Sequence, residues 1–336
     1  MHIFVLSTGG TIGSAAENGV ISPEAGQEMT LLQMYRESYT DKVQFTVCRV
    51  CDILSENADD TFYELLISKL RAIPSGADGV IVLHGTDTLS YTAALCAMAC
   101  GGACKVPVGF VSSAYVLSDV RQNGVCNFRA AVRYIECGGA GFFVPYRNTD
   151  DSVQIHLATR VMEADAFSAD FQSAKKQVLA RVTADGTVQF SGSPDLPSRA
   201  QLSNVQETAG LQNLRFQKSV LPLKLYPNLD FSAILPNRES CAAVLLIGYH
   251  SGTAPVCALS AFAKRMQAQK IPLYLAPIPR AAALYESTRE LLEIGVIPIF
   301  SRTAESALAK LKLAYNQTAC SPEAFLQKES YFEEVT

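Results

Sequence analysis

Two apolar runs in this chain stop at the same kind of turn. Ile3-Phe4-Val5-Leu6 breaks at Ser7-Thr8-Gly9-Gly10-Thr11, and Val80-Ile81-Val82-Leu83 breaks at His84-Gly85-Thr86-Asp87-Thr88. A short run of large apolar side chains that ends on glycine reads as a buried strand closing in a turn. Segments of helical spacing lie between such runs, at Thr61 to Ile73, Leu89 to Ala103 and about Asn127 to Cys137, with further strands at Val106 to Val111 and Gly141 to Val144. Strands alternating with helices predict a parallel sheet with right-handed crossovers and helices on both faces, an α/β fold.

The pattern changes near residue 180. Asp185-Gly186 between Val182 and Val188 reads as a hairpin, and Ser191 to Leu214 is polar and weakly patterned, like a linker. Alternation resumes after Leu221: strands Ala242 to Ile247, Leu273 to Ala276 and Val296 to Phe300, and helices Val256 to Gln269, Leu284 to Ile294 and Ala304 to Tyr315. A chain of 336 residues, 49% hydrophobic and 18% charged, has ample apolar content for two cores. The expected organisation is an N-terminal α/β domain over 1–190, a connector over 191–220, and a smaller C-terminal α/β domain over 221–336.

A net charge of -4 with no basic face argues against nucleic acid as a partner. The chain starts with no basic leader and holds no run long enough for a membrane span, so the expectation is a cytoplasmic protein without membrane contact. Ten cysteines invite a metal reading, but Cys48-x-x-Cys51 sits in a strand-like stretch and the four histidines lack ligand spacing. Cys96, Cys100 and Cys104 recur along one face of a helix, as small core residues do. No metal or organic cofactor is expected.

Ligands of open parallel sheets bind beyond the carboxyl ends of the strands, where both turns fall. Gly9 and Gly10 let backbone N–H groups come close to a ligand, and Thr11 presents a hydroxyl that needs a base or a polarised pocket to act as nucleophile. A plain turn with a hydroxyl cap would look the same, whereas the spacing of Gly9, Gly10 and Gly13 does not fit a dinucleotide site. In the second turn Asp87 suits a substrate ammonium and Thr86 offers another hydroxyl, although Asp87 or Thr88 would also serve as the cap of the next helix.

The two strings resemble the two signatures of the L-asparaginase family, most closely its cytoplasmic type I members. Leu83 through Ala94 is similar almost residue for residue, and a fainter likeness runs through Pro107, Leu117, Arg121, Gly124, Asn127, Ala166-Phe167, Gly248-Tyr249, Gly252, Ala254-Pro255, Tyr285 and Gly295-Val296-Ile297. The resemblance implies a two-domain asparaginase-like fold and hydrolysis of L-asparagine to L-aspartate and ammonia. Thr11 would be the nucleophile, Thr86 and Asp87 the second catalytic group, and Ser55-Glu56 the holder of the substrate's α-carboxylate and α-amino groups. Backbone N–H groups near Gly10 and Gly85 would form the oxyanion hole, and the assembly would be a homodimer or homotetramer.

Departures from the family pattern open two alternatives. Val20 stands nearest to where the family has a tyrosine beside the nucleophile, and Arg160 aligns best with the lysine of the second catalytic group. Arginine keeps the charge but cannot give up a proton. Asn123 replaces an aspartate, Thr253 an asparagine, and Leu54 a small or acidic residue. The chain would then be a weakened member that binds a small amino acid, or an amidase for a different amide.

Overall fold

The computed structural model describes residues 1–335 except 18, 19, 24, 25, 41, 281 and 282, with the backbone alone at 15–17, 20, 21 and 23. The chain divides into two compact units, Met1–Thr208 and Ala209–Thr336. Of the residues expected to form a connector, 191–208 fall in the first unit and 209–220 in the second. Among the described residues no helix is long and apolar enough to cross a membrane.

Among the described residues the first unit carries the strands β1 (His2–Gly9), β2 (Ser14–Glu17), β3 (Val20–Pro23), β4 (Gln44–Ile53), β5 (Gly79–Leu83), β6 (Val108–Val111), β7 (Phe142–Arg147), β8 (Val153–Leu157), β9 (Ala180–Val182) and β10 (Val188–Phe190). Apart from the β2–β3 hairpin they make one sheet in the order β10-β9-β8-β7-β6-β5-β1-β4. The register places the two turns side by side: Ser7 pairs with Leu83 in parallel β1 and β5, so both strands end at one level. On the other flank Gly9 pairs with Ile53, which brings the end of β4 to the same place.

The helices are α1 (Gln27–Ser38), α2 (Asp60–Arg71), α3 (Leu89–Cys100), α4 (Gly124–Glu136) and the short α5 (Arg199–Ser203). Apolar and small side chains surround α3, and every residue in it is buried except Tyr91, as expected of a helix without a polar face. Cys96 and Cys100 are part of that packing, and burial pushes the Cys100 thiol up to about 12. The sheet is parallel only from β4 to β7, because β8, β9 and β10 are antiparallel additions. The links 148–152 from β7 to β8 and 183–187 from β9 to β10 are too short for the crossover of a dozen or more residues that a parallel pair needs.

The second unit is a parallel sheet, β11 (Ser219–Lys224), β12 (Cys241–Ile247), β13 (Leu273–Ile278) and β14 (Ile297–Phe300), in sequential order. Its helices are α6 (Val256–Ala268), α7 (Glu286–Glu293), α8 (Ala304–Ala314) and α9 (Pro322–Leu326). Alternate residues of β12 feed opposite faces, as the pleat requires. Val244 and Leu246 join Leu259, Phe262 and Met266 of α6 and Leu291 of α7, whereas Ala243 and Leu245 join Ala307 and Leu311 of α8. The C-terminal segment is tied down by a buried ion pair, Lys310 Nζ to Glu333 Oε1 at 2.9 Å.

Candidate active site

Three turns leave β1, β4 and β5 at the same edge and close on one another. A Cβ built on Gly10 would lie 2.2 Å from the amide nitrogen of Gly85, and one built on Gly85 would lie 2.4 Å from Ser55 Oγ. Only glycine permits this approach, and Gly10 also adopts φ 79° and ψ -178°, a conformation essentially reserved for glycine. Thr8 Oγ1 donates to the Leu83 carbonyl at 2.7 Å and ties β1 to β5 just below the turns. The Gly10 carbonyl accepts from Gly13 N–H at 2.9 Å and Ser14 Oγ at 2.7 Å, closing a 3₁₀ turn over Thr11–Gly13.

Thr11 is half-buried on that turn. Thr86 is also half-buried, and its hydroxyl donates to the Ser113 carbonyl at 3.0 Å. Thr88 does not cap α3 with its side chain; its hydroxyl instead donates to the Ser55 carbonyl at 2.9 Å. Ser55 is buried on the 3₁₀ turn Ser55–Asn57, and the cap of α2 is Asp59, which accepts from Phe62 N–H at 2.8 Å. The Thr88 side chain therefore does not do the capping that sequence alone leaves open. The Glu56 and Asp87 carboxylates, one from each turn, are exposed.

His84 is buried, and desolvation lowers its pKa to about 4, so it is neutral at physiological pH. Its Nδ1 lies 2.8 Å from the Gly85 carbonyl, which assigns the proton to that nitrogen. It shapes the turn and is not placed as a general base.

The remaining sequence candidates sit elsewhere. Gly10 N–H donates to the Ile53 carbonyl at 3.0 Å, so it is committed within the fold and not offered to an oxyanion. The structure does not bring Arg160 to the threonine turns. Leu157 pairs with Phe143 and Phe143 with Gly109, and Ala158 N–H donates to the Phe142 carbonyl. The turn carrying Arg160 thus emerges at the amino-terminal end of β6 and β7, opposite the end where Thr86 lies. There its buried guanidinium donates to the Asp195 carbonyl at 2.7 Å. The alignment does not foresee this place because β8 runs against its neighbour. The chain then folds back, and Glu163 accepts from the Tyr91 hydroxyl at 2.6 Å in the first turn of α3. Val20 belongs to β3 opposite Glu17, and its side chain lies outside those described. Thr253 belongs to the second unit, where its hydroxyl meets Ser251 Oγ at 3.1 Å.

Sequence reasoning misses several supporting groups. Thr8, Ser14, Ser113 and Thr88 hold the turns through buried or half-buried hydrogen bonds to backbone, and no spacing marks such contacts in advance. Asn123 reads in the sequence only as a departure, yet it stands at the start of α4 with its amide bonded on both sides.

Two glycine turns and a serine turn meet at the carboxyl edge of a parallel sheet in an α/β protein, and between them they carry threonine and serine hydroxyls and two exposed carboxylates. The asparaginase N-terminal family model matches residues 2–196, more than half of the 336, and the chain belongs to the asparaginase family. It is 25% identical over 330 residues to an L-asparaginase of Thermococcus kodakarensis, covering 95% of this chain and 94% of that one. It is 26% identical over 333 residues to a glutamyl-tRNA(Gln) amidotransferase component of Saccharolobus solfataricus, covering 94% and 72%. The fold matches the thermostable L-asparaginase structure from Thermococcus kodakarensis with a TM-score of 0.75 at 22% identity, each chain fully covered. A probable cytoplasmic L-asparaginase from Campylobacter jejuni matches with a TM-score of 0.77 at 20% identity, covering 99% of each chain.

Proposed function

We propose that this chain hydrolyses the side-chain amide of L-asparagine, giving L-aspartate and ammonia, with Thr11 as nucleophile. The observation that carries the reading is the meeting of Gly10, Gly85 and Ser55, which gathers Thr11, Thr86-Asp87 and Ser55-Glu56 around one point. Glu56 and Asp87 would hold a substrate ammonium between them, and Ser55 Oγ would take the α-carboxylate. Thr11 Oγ adds to the amide carbon, the C–N bond breaks, and nitrogen leaves as ammonia carrying the hydroxyl proton. Water then cleaves the ester, releasing aspartate and restoring the threonine. Developing negative charge on the amide oxygen would be met by N–H groups of the Gly10–Thr11 and Gly85 turns other than Gly10's own. By likeness to the relatives, the working protein is a cytoplasmic homodimer or homotetramer, which light scattering would check.

A second reading rests on the diversion of Arg160 and on the Thr86 proton being held by a carbonyl rather than a base. In that reading the site binds a small amino acid and turns it over poorly. Ammonia release from L-asparagine by purified protein, compared with Thr11→Ala, separates the two. Release abolished by the substitution supports hydrolysis. No release at millimolar asparagine, with asparagine still raising the melting temperature, selects the binding reading.

A further inference from the structure

Asn123 and Asn127 stand one helical turn apart at the start of α4, and both are buried. Each side-chain amide bridges the same two segments. Asn127 Oδ1 accepts from Arg147 N–H at 2.7 Å, and its Nδ2 donates to the Ser112 carbonyl at 2.9 Å. Asn123 works in the opposite sense: Nδ2 donates to the Arg147 carbonyl at 2.9 Å, while Oδ1 accepts from Ala114 N–H at 2.9 Å. Both backbone groups of Arg147, at the end of β7, are thus used to hold the loop 112–114. The Ser113 hydroxyl adds to the grip, donating to the Tyr115 carbonyl at 2.6 Å and accepting from Gly124 N–H at 3.1 Å. In the middle of this loop is the carbonyl that receives the Thr86 hydroxyl.

Each amide must donate to a carbonyl and accept from an N–H, so neither orientation nor chemistry is free. An ionised carboxylate has the acceptor and lacks the donor.

We propose that Asn123 and Asn127 form a positioning clamp for the proposed hydrolytic site. They fix the Ser113 carbonyl, which holds the Thr86 proton and turns the threonine's lone pairs away from the loop. The inference rests on Thr86 serving in the amide hydrolysis proposed above. Neither asparagine touches the substrate. A catalytic group displaced by about 1 Å loses on the order of 100-fold in rate, whereas Ser55 and Glu56, which bind the substrate's α-groups in the proposed reaction, stand on a different turn.

The test uses Asn127→Leu and Asn123→Leu in the full chain, with Asn127→Asp as the variant that keeps the acceptor for Arg147 N–H and loses the donor to the Ser112 carbonyl. The leucine variants should lose about 30- to 100-fold in kcat on asparagine, with KM within about threefold of the parent. Asn127→Asp should lose kcat in the same direction. Should one leucine variant fail to fold, the other gives the same readouts. The clamp is overturned if kcat of the folded variants stays within twofold of the parent. It is equally overturned if kcat, KM and melting temperature deteriorate together. A parent that releases no ammonia from any small amide defeats the hydrolytic reading instead. The crystal structure of Asn127→Asp then decides for the clamp: a Thr86–Ser113 contact opened from 3.0 Å to beyond 3.5 Å supports it, and an unchanged contact overturns it.

Discussion

Replacing Gly10 by alanine tests whether the turns must touch. The new Cβ would lie 2.2 Å from the Gly85 nitrogen, where ordinary contact begins at 3.4 Å, so the two turns must part by about 1.2 Å. The obstacle is backbone, which cannot rotate aside as a side chain does. Alanine must in addition occupy a conformation of φ 79° and ψ -178°, at about 1–3 kcal/mol. For a unit of this size about 2 kcal/mol lowers the melting temperature by roughly 6 °C. A displacement of that order between Thr11 and Thr86 should cost on the order of 100-fold in turnover. Gly13 is the control: it lies on the same 3₁₀ turn, and a Cβ there meets nothing within 4 Å. Ammonia release and thermal melting of Gly10→Ala, Gly13→Ala and parent would be compared in parallel. If Gly10→Ala kept turnover within threefold of the parent, the close approach would not set the site and the reasoning would fail.

Two more predictions concern stability. Burial lowers the pKa of His84 to about 4 and that of His156 to about 3, against 6.5 in the unfolded chain. The unfolded state therefore takes up protons that the folded state refuses. Their contribution is complete above pH 6.5 and is lost as pH falls toward 4, by about 3 kcal/mol for each histidine. Urea unfolding across that range should show the decline, and His156→Gln should flatten it. Lys310 and Glu333 are fully buried partners, so Lys310→Met strands a carboxylate and should cost about 3–5 kcal/mol. Adding Glu333→Gln should restore part of that loss, and equal melting temperatures for single and double variants would contradict the charge argument.

Much of the fold is legible because its signals are local. The runs at Ile3 and Val80 break at glycines and form β1 and β5, and the uniformly small, apolar stretch after Leu89 forms the buried helix α3. Asp185-Gly186 predicts its hairpin, which β9 and β10 form. Features fixed at long range are not legible. The periodicity leaves Val153 to Leu157 unassigned, so the antiparallel return of β8 goes unread, and that reversal carries Arg160 away from the edge where alignment puts it. The α1 helix escapes a reading by pattern because its polar residues outnumber its few buried ones. Ser321-Pro322 carries a capping signal for α9, with Ser321 accepting from Ala324 N–H, but the helix is too short to show periodicity. Thr11, Thr86, Asp87, Ser55 and Glu56 are legible as motifs. The glycine approach that gathers them, and the asparagine pair behind Ser113, depend on contacts between segments remote in sequence.

The central claim is that Thr11 carries the acyl group. Peptide mapping by mass spectrometry of protein acid-quenched during turnover of L-asparagine tests it directly. The account predicts an aspartyl adduct on the peptide containing Thr11, absent from Thr11→Ala even where that variant still binds aspartate. An adduct mapped to Thr86 instead, or full turnover by Thr11→Ala, would contradict it.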